Sequence, residues 1–137
     1  MITFQNTSKF KVKDLRKKKL WLNSISNNEG KKIESLSFLF VDDEEMLKYN
    51  KKYLQHESYT DIITFDYCEK NRVNGDLFIS IDRVKDNAKS FNSSIENELH
   101  RVMIHGILHL CGYKDKTPED QNVMSAKEDF YLNLRDF

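Results

Sequence analysis

His105-Gly106-Ile107-Leu108-His109-Leu110-Cys111-Gly112-Tyr113-Lys114-Asp115 reads as the second half of a helix followed by a sharp turn. Residues four apart on a helix share a face, with about 5–6 Å between Cβ atoms. His105 and His109 can therefore close on one ion at about 2.0–2.1 Å from each nitrogen. Gly112 is placed to end the helix in a left-handed conformation, so the chain beyond it can swing back. Asp115 stands where the zincin pattern H-E-x-x-H-x-x-G-x-x-H has its third ligand, glycine included. Three protein ligands and one open position describe a catalytic zinc site, whereas structural sites fill all four positions. A histidine pair of this spacing also occurs on ordinary helices as surface or core groups. Asp115 has a bland alternative too, as a solvated loop residue between Lys114 and Lys116. The glycine and the carboxylate at their offsets favour the metal.

Working outward, the helix that carries the histidines starts near Ser93, a capping residue with Glu96 three positions on. Ile95, Leu99, Val102, Met103, Gly106 and Leu110 fall on its apolar face. Thr117 and Pro118 open a last helix, as N-cap and first-turn residue. Upstream, Ile2–Phe4, Leu36–Val41, Asp61–Phe65 and Asp76–Ser80 read as strands rich in β-formers. Lys11 to Asn27, Asp42 or Asp43 to Leu54, and Asp82 to Phe91 read as helices. Asn74-Gly75 carries the signature of a tight turn. The expectation is one α+β domain over residues 1–137, a small mixed sheet of about four strands packed with about five helices. Its metal helix is zincin-like.

Composition sets limits. Hydrophobic residues make up 39% and charged residues 32%, values of a globular chain rather than a disordered one. No apolar run approaches the roughly 18 residues of a membrane span. The stretch Met1–Asn6 lacks a basic-then-apolar signal, so the expected location is the cytoplasm, away from membranes. Cys68 and Cys111 are far apart and read as reduced thiols, in agreement. Lys and Arg together number 22, as do Asp and Glu, so net charge makes no case for nucleic acid. Charge is unevenly spread, with Arg16–Lys19 basic and Asp42–Glu45 acidic. Each fits a solvated helix face or end, and acids at a helix start suit its dipole.

Two positions narrow the chemistry. Gly106 stands where zinc proteases place their general-base glutamate, which counts against peptide hydrolysis. His100 precedes His105 by five residues, about 140° round the helix at 3.6 residues per turn, and is excluded as a ligand. Cys111 is a soft ligand by type but reads as a packed residue.

The motif run resembles that of the YbeY family of bacterial metal-dependent endoribonucleases. The family motif is H-G-x-L-H-L-x-G-Y-D-H, and this chain matches through Tyr113. Two further blocks are similar. Tyr49–Tyr53 and Thr60–Phe65 resemble N-x-x-[FY]-R and T-[DN]-V-L-S-F. Gly75–Ser80 resembles G-D-I-x-I-S. The blocks run in family order over about Tyr49 to Asp115. Two departures stand out: Asp115 occupies the place of the family's third histidine, and Leu54 that of its arginine. The resemblance implies a single-strand-specific endoribonuclease of rRNA maturation and ribosome quality control, acting at the 3′ end of small-subunit rRNA. It implies one zinc ion on His105, His109 and Asp115, which act in catalysis through the metal. The implied partners are rRNA and ribosomal particles. Asp61 is a candidate supporting residue. Lys51, Lys52 and His56, or the Arg16–Lys19 run, are candidates for the phosphate contact that Leu54 lacks. The alternatives are a metalloprotease-like hydrolase and a non-catalytic, ribosome-associated metal-binding protein.

Overall fold

The computed structural model describes residues 1–54 and 60–137. Its elements are β1 (Ile2–Asn6), α1 (Leu15–Asn28), β2 (Lys32–Val41), α2 (Asp43–Leu54), β3 (Ile62–Asp66), β4 (Arg72–Ser80), α3 (Ile81–Ser90), α4 (Ile95–Leu110) and α5 (Pro118–Asn133). The four strands lie in the order β1-β2-β4-β3. The first three run parallel and β3 runs antiparallel to β4. The expected α+β class with a mixed sheet is therefore observed.

Alternation along the strands divides the core. Phe38, Phe40, Leu77 and Ile79 face the main cluster, which contains the buried side chains of α1 and α4. Ile63 faces the other way, with Val41 of β2 and Met46 of α2, and Tyr49, Phe65 and Phe78 pack against them. A period of two sends successive side chains to opposite faces, so both faces of the sheet are covered by helices.

Helix α4 is buried on almost every side. Leu99, Val102, Met103, Ile104, Ile107, Leu108 and Leu110 are all nearly inaccessible, each contributing about 1.5–3 kcal/mol by leaving water. From Asn97 onward, only every fourth position keeps partial exposure, namely Asn97, Arg101, His105 and His109. That spacing is one stripe along the helix. Gly106 lies opposite, against the sheet. A Cβ there would stand 2.8 Å from Ile62 Cδ1 and 3.0 Å from Leu77 Cδ2. The helix ends at Gly112, whose φ of 105° is the left-handed turn expected of it.

Four expectations need correction. Helix α1 begins at Leu15 rather than Lys11, because Asp14 takes a left-handed φ of 56° ahead of it. Ser94, not Ser93, caps α4, accepting from Asn97 N at 3.0 Å. Asp61 sits just ahead of β3 rather than inside it. Asn74-Gly75 lies within β4, and the chain reverses instead around Lys70, at φ 53°. Gly75 is needed for close approach: a Cβ would meet the Phe65 carbonyl oxygen at 2.7 Å and Leu110 methyls at 3.0 and 3.1 Å. Among the described residues, no helix is long and apolar enough to cross a membrane.

Candidate metal centre

His105 and His109 project from the wet stripe of α4, and the turn at Gly112 returns Asp115 to them. His105 Nε2 and His109 Nε2 lie 3.0 Å apart. Asp115 Oδ2 lies 3.1 Å from the first and 3.2 Å from the second. Four-coordinate tetrahedral ligation at about 2.0 Å requires ligand–ligand edges of about 3.3 Å. The three atoms thus outline one face of such a tetrahedron, and the donor set of two imidazoles and a carboxylate suits it. These residues can hold a metal ion.

The other ring nitrogens are committed. His105 Nδ1 donates to Glu128 Oε2 at 2.7 Å, and His109 Nδ1 donates to the Tyr113 carbonyl at 2.9 Å. Fixing Nδ1–H fixes the tautomer and leaves the Nε2 lone pair for an ion. Burial works to lower the His105 pKa, but the Glu128 bond and the charges of Glu128, Asp115 and Asp61 outweigh it and raise it. Both supports are anchored in turn. Arg101 donates to Glu128 Oε1 at 3.1 Å. The Tyr113 hydroxyl donates to Glu29 Oε1 at 2.5 Å, and Lys127 Nζ reaches Glu29 Oε2 at 3.1 Å.

Two clefts flank the triangle, and His105 and Asp115 line both. One, of about 650 Å³, runs towards α5 past Arg101 and Glu128. The other, of about 660 Å³, runs along β3 past Thr60, Asp61, Thr64 and Lys114. Asp61 accepts from Asn87 Nδ2 at 3.3 Å. Burial raises its pKa, and neighbouring His105 works against that.

The structure thus brings His105, His109 and Asp115 together as the spacing predicted. Lys51 and Lys52 are on α2 and line neither cleft. Of the Arg16–Lys19 run, Lys18 is wholly buried, with Nζ donating to the Lys13 carbonyl. His56 lies outside the described residues. His100 is buried against Trp21 and Phe137, away from the three converging atoms. Burial pushes the Cys111 thiol up to about 11, so it stays protonated at neutral pH and is a poor ligand. Sequence reasoning missed Glu128, Arg101 and Lys114. Glu128 had left a signal, as an acid on the buried face of α5 formed with Met124, Tyr131 and Leu132.

Comparison with known proteins shows the family. The family model described as Endoribonuclease YbeY matches residues 2–135. The chain belongs to the YbeY family. An Endoribonuclease YbeY from Bacteroides fragilis is 48% identical over 136 residues, covering 98% of this chain and 97% of that one. Another YbeY, from Cytophaga hutchinsonii, is 47% identical over 135 residues, covering 98% and 94%. The fold also matches a solution structure from Thermotoga maritima. Its TM-score is 0.73 and its identity 30%, covering 97% of this chain and 87% of that one.

Proposed function

We propose that this chain is a metal-dependent endoribonuclease that hydrolyses single-stranded RNA during rRNA maturation, with His105, His109 and Asp115 holding one zinc ion. The observation that carries the reading is the convergence of two Nε2 atoms and Asp115 Oδ2 within 3.0–3.2 Å. Membership of the YbeY family supplies the reaction class. Zinc is favoured by tetrahedral nitrogen and oxygen donors. The carboxylate in place of a third imidazole lowers the net charge of the loaded site by one.

When bound, the metal supplies Lewis acidity at a phosphate oxygen, at a water, or at both. The protein's part is positioning. Glu128 and the Tyr113 carbonyl hold the imidazoles in one tautomer. Lys114, on the wall of the β3 cleft, is the proposed phosphate contact in place of an arginine at Leu54. A chain with these contacts would act in the cytoplasm, on ribosomal RNA and ribosomal particles, including the 3′ end of small-subunit rRNA.

The test combines metal analysis with RNA cleavage. Wild type should carry about one zinc per chain, the stoichiometry of a three-ligand catalytic site. It should cut single-stranded RNA, and stop when chelated. His105→Ala and Asp115→Ala should lose both metal and cleavage. Metal binding without cleavage of any RNA would favour the non-catalytic reading. Cleavage of casein would favour the protease, which the apolar surroundings of Gly106 disfavour. Absence of stoichiometric metal would sink the centre itself.

A further inference from the structure

The cleft on the α5 side holds a group that the metal centre does not use. Glu98 lies on its wall and is only 4% exposed. Its backbone N–H closes the first turn of α4 on Ser94 O at 3.0 Å, but its carboxylate has no hydrogen-bond or ion-pair partner among the described residues. Arg101, one turn along α4, gives its guanidinium to Glu128 and Asp129 instead, at 3.1 and 2.8 Å. Burial chiefly raises the Glu98 pKa; Arg101 offsets this, and the charges of Asp61 and Glu128 add to it. A carboxyl in so buried a residue is normally hydrogen-bonded; the Glu98 oxygens are not fully enclosed, so they open into the cleft. At the rim of the same cleft stands Phe91, a large aromatic side chain 69% exposed to water. Met124 forms an apolar part of the wall.

We propose that this cleft is a nucleobase subsite, in which Phe91 stacks on the base next to the scissile phosphate and Glu98 hydrogen-bonds its amino-bearing edge. The proposal rests on the reading of His105, His109 and Asp115 as the metal centre of a ribonuclease. Its volume falls in the range of small-molecule sites, roughly 300–1,000 Å³. Glu98 and His105 are seven residues apart on one helix, about 10 Å along its axis. A nucleotide whose phosphate sits at the triangle can reach across that span with its base. The chemistry points to a base rather than the backbone. A carboxylate repels phosphate, but it accepts from an exocyclic amino group, as acidic side chains do from cytosine N4. Aromatic stacking tolerates every base. The expected selectivity is therefore for cytosine, adenine or guanine over uracil, whose one edge donor, N3–H, lies between two carbonyl oxygens that repel a carboxylate.

The experiment measures binding of fluorescently labelled oligo(rC), oligo(rA) and oligo(rU) hexamers by anisotropy, under chelation so that nothing is cut. Wild type should bind oligo(rC) and oligo(rA) about tenfold more tightly than oligo(rU), the scale of one good base-edge contact. Glu98→Leu should bring the three within about twofold, having lost that contact. Glu98→Gln, which adds an N–H donor, should shift the preference towards uracil and serves if the leucine variant does not fold. Phe91→Ala, at an exposed position, should weaken all three alike by about fivefold or more through lost stacking. Equal affinities in wild type, or an unchanged preference in both Glu98 variants, would overturn the subsite. His109, which does not line this cleft, provides the control. His109→Ala should lose metal and cleavage yet keep the base preference. Metal-dependent cleavage by a wild type without base preference therefore sinks the subsite alone.

Discussion

Glu128 and Tyr113 each accept a hydrogen bond from one imidazole N–H, but through different atoms. The Tyr113 carbonyl belongs to the turn that follows α4, so no side-chain substitution removes it. Glu128 acts through its side chain, from another helix. Replacing it frees the His105 ring to rotate and to change tautomer. Glu128→Ala should weaken metal binding about 10- to 100-fold, the usual effect of losing such a support. Chelator competition at neutral pH reads this, and an unchanged dissociation constant would contradict the role. The proposed ligands were legible because their spacing is local, four and six residues within one helix and turn. Glu128 was not, because it meets His105 across 23 residues of sequence.

At the scale of elements, α4 and β4 were both recognised, but their limits depend on neighbours. The Asn-Gly pair carries a turn signature, yet Leu36 pairs with Gly75 in the middle of a ladder. Gly75 is there to admit the Phe65 carbonyl and the Leu110 methyls, a tertiary demand with no local sign. Gly75→Ala should cost about 2–3 kcal/mol, since a backbone oxygen cannot yield as a side-chain end does. Urea unfolding checks this, and a midpoint equal to that of wild type would refute it. The stripe of α4 was half legible. Both histidines were singled out, while Asn97 and Arg101, at the same interval of four, passed as ordinary polar positions.

Across the whole molecule, α1, α4 and the C-terminal segment meet at His100. Its Nδ1 accepts from Arg135 at 2.5 Å, Lys18 of α1 lies close enough to oppose a second charge, and Glu96 Oε2 lies 3.7 Å from Nε2. Burial, then Lys18 and Arg135, lower its pKa to about 3 from 6.5. Between those values the unfolded chain binds a proton that the folded one refuses, so stability falls as pH drops from about 6.5 to about 3. His100→Asn keeps an acceptor without titrating. From pH 7 to about 4.5, wild type should lose roughly 2–3 kcal/mol more than this variant, at 1.36 kcal/mol per pKa unit. Parallel denaturant curves for the two proteins would refute it. The sheet order brings one further feature into view. Gly106 touches Ile62 and Leu77 because α4 lies flat on β3 and β4. A glutamate there would have to displace the Ile62 and Leu77 side chains. A lineage drifting towards peptide cleavage would have to rebuild that packing before the new residue conferred any benefit. The helix seat thus acts as an evolutionary barrier, which ties this site to its present reaction without taking part in it.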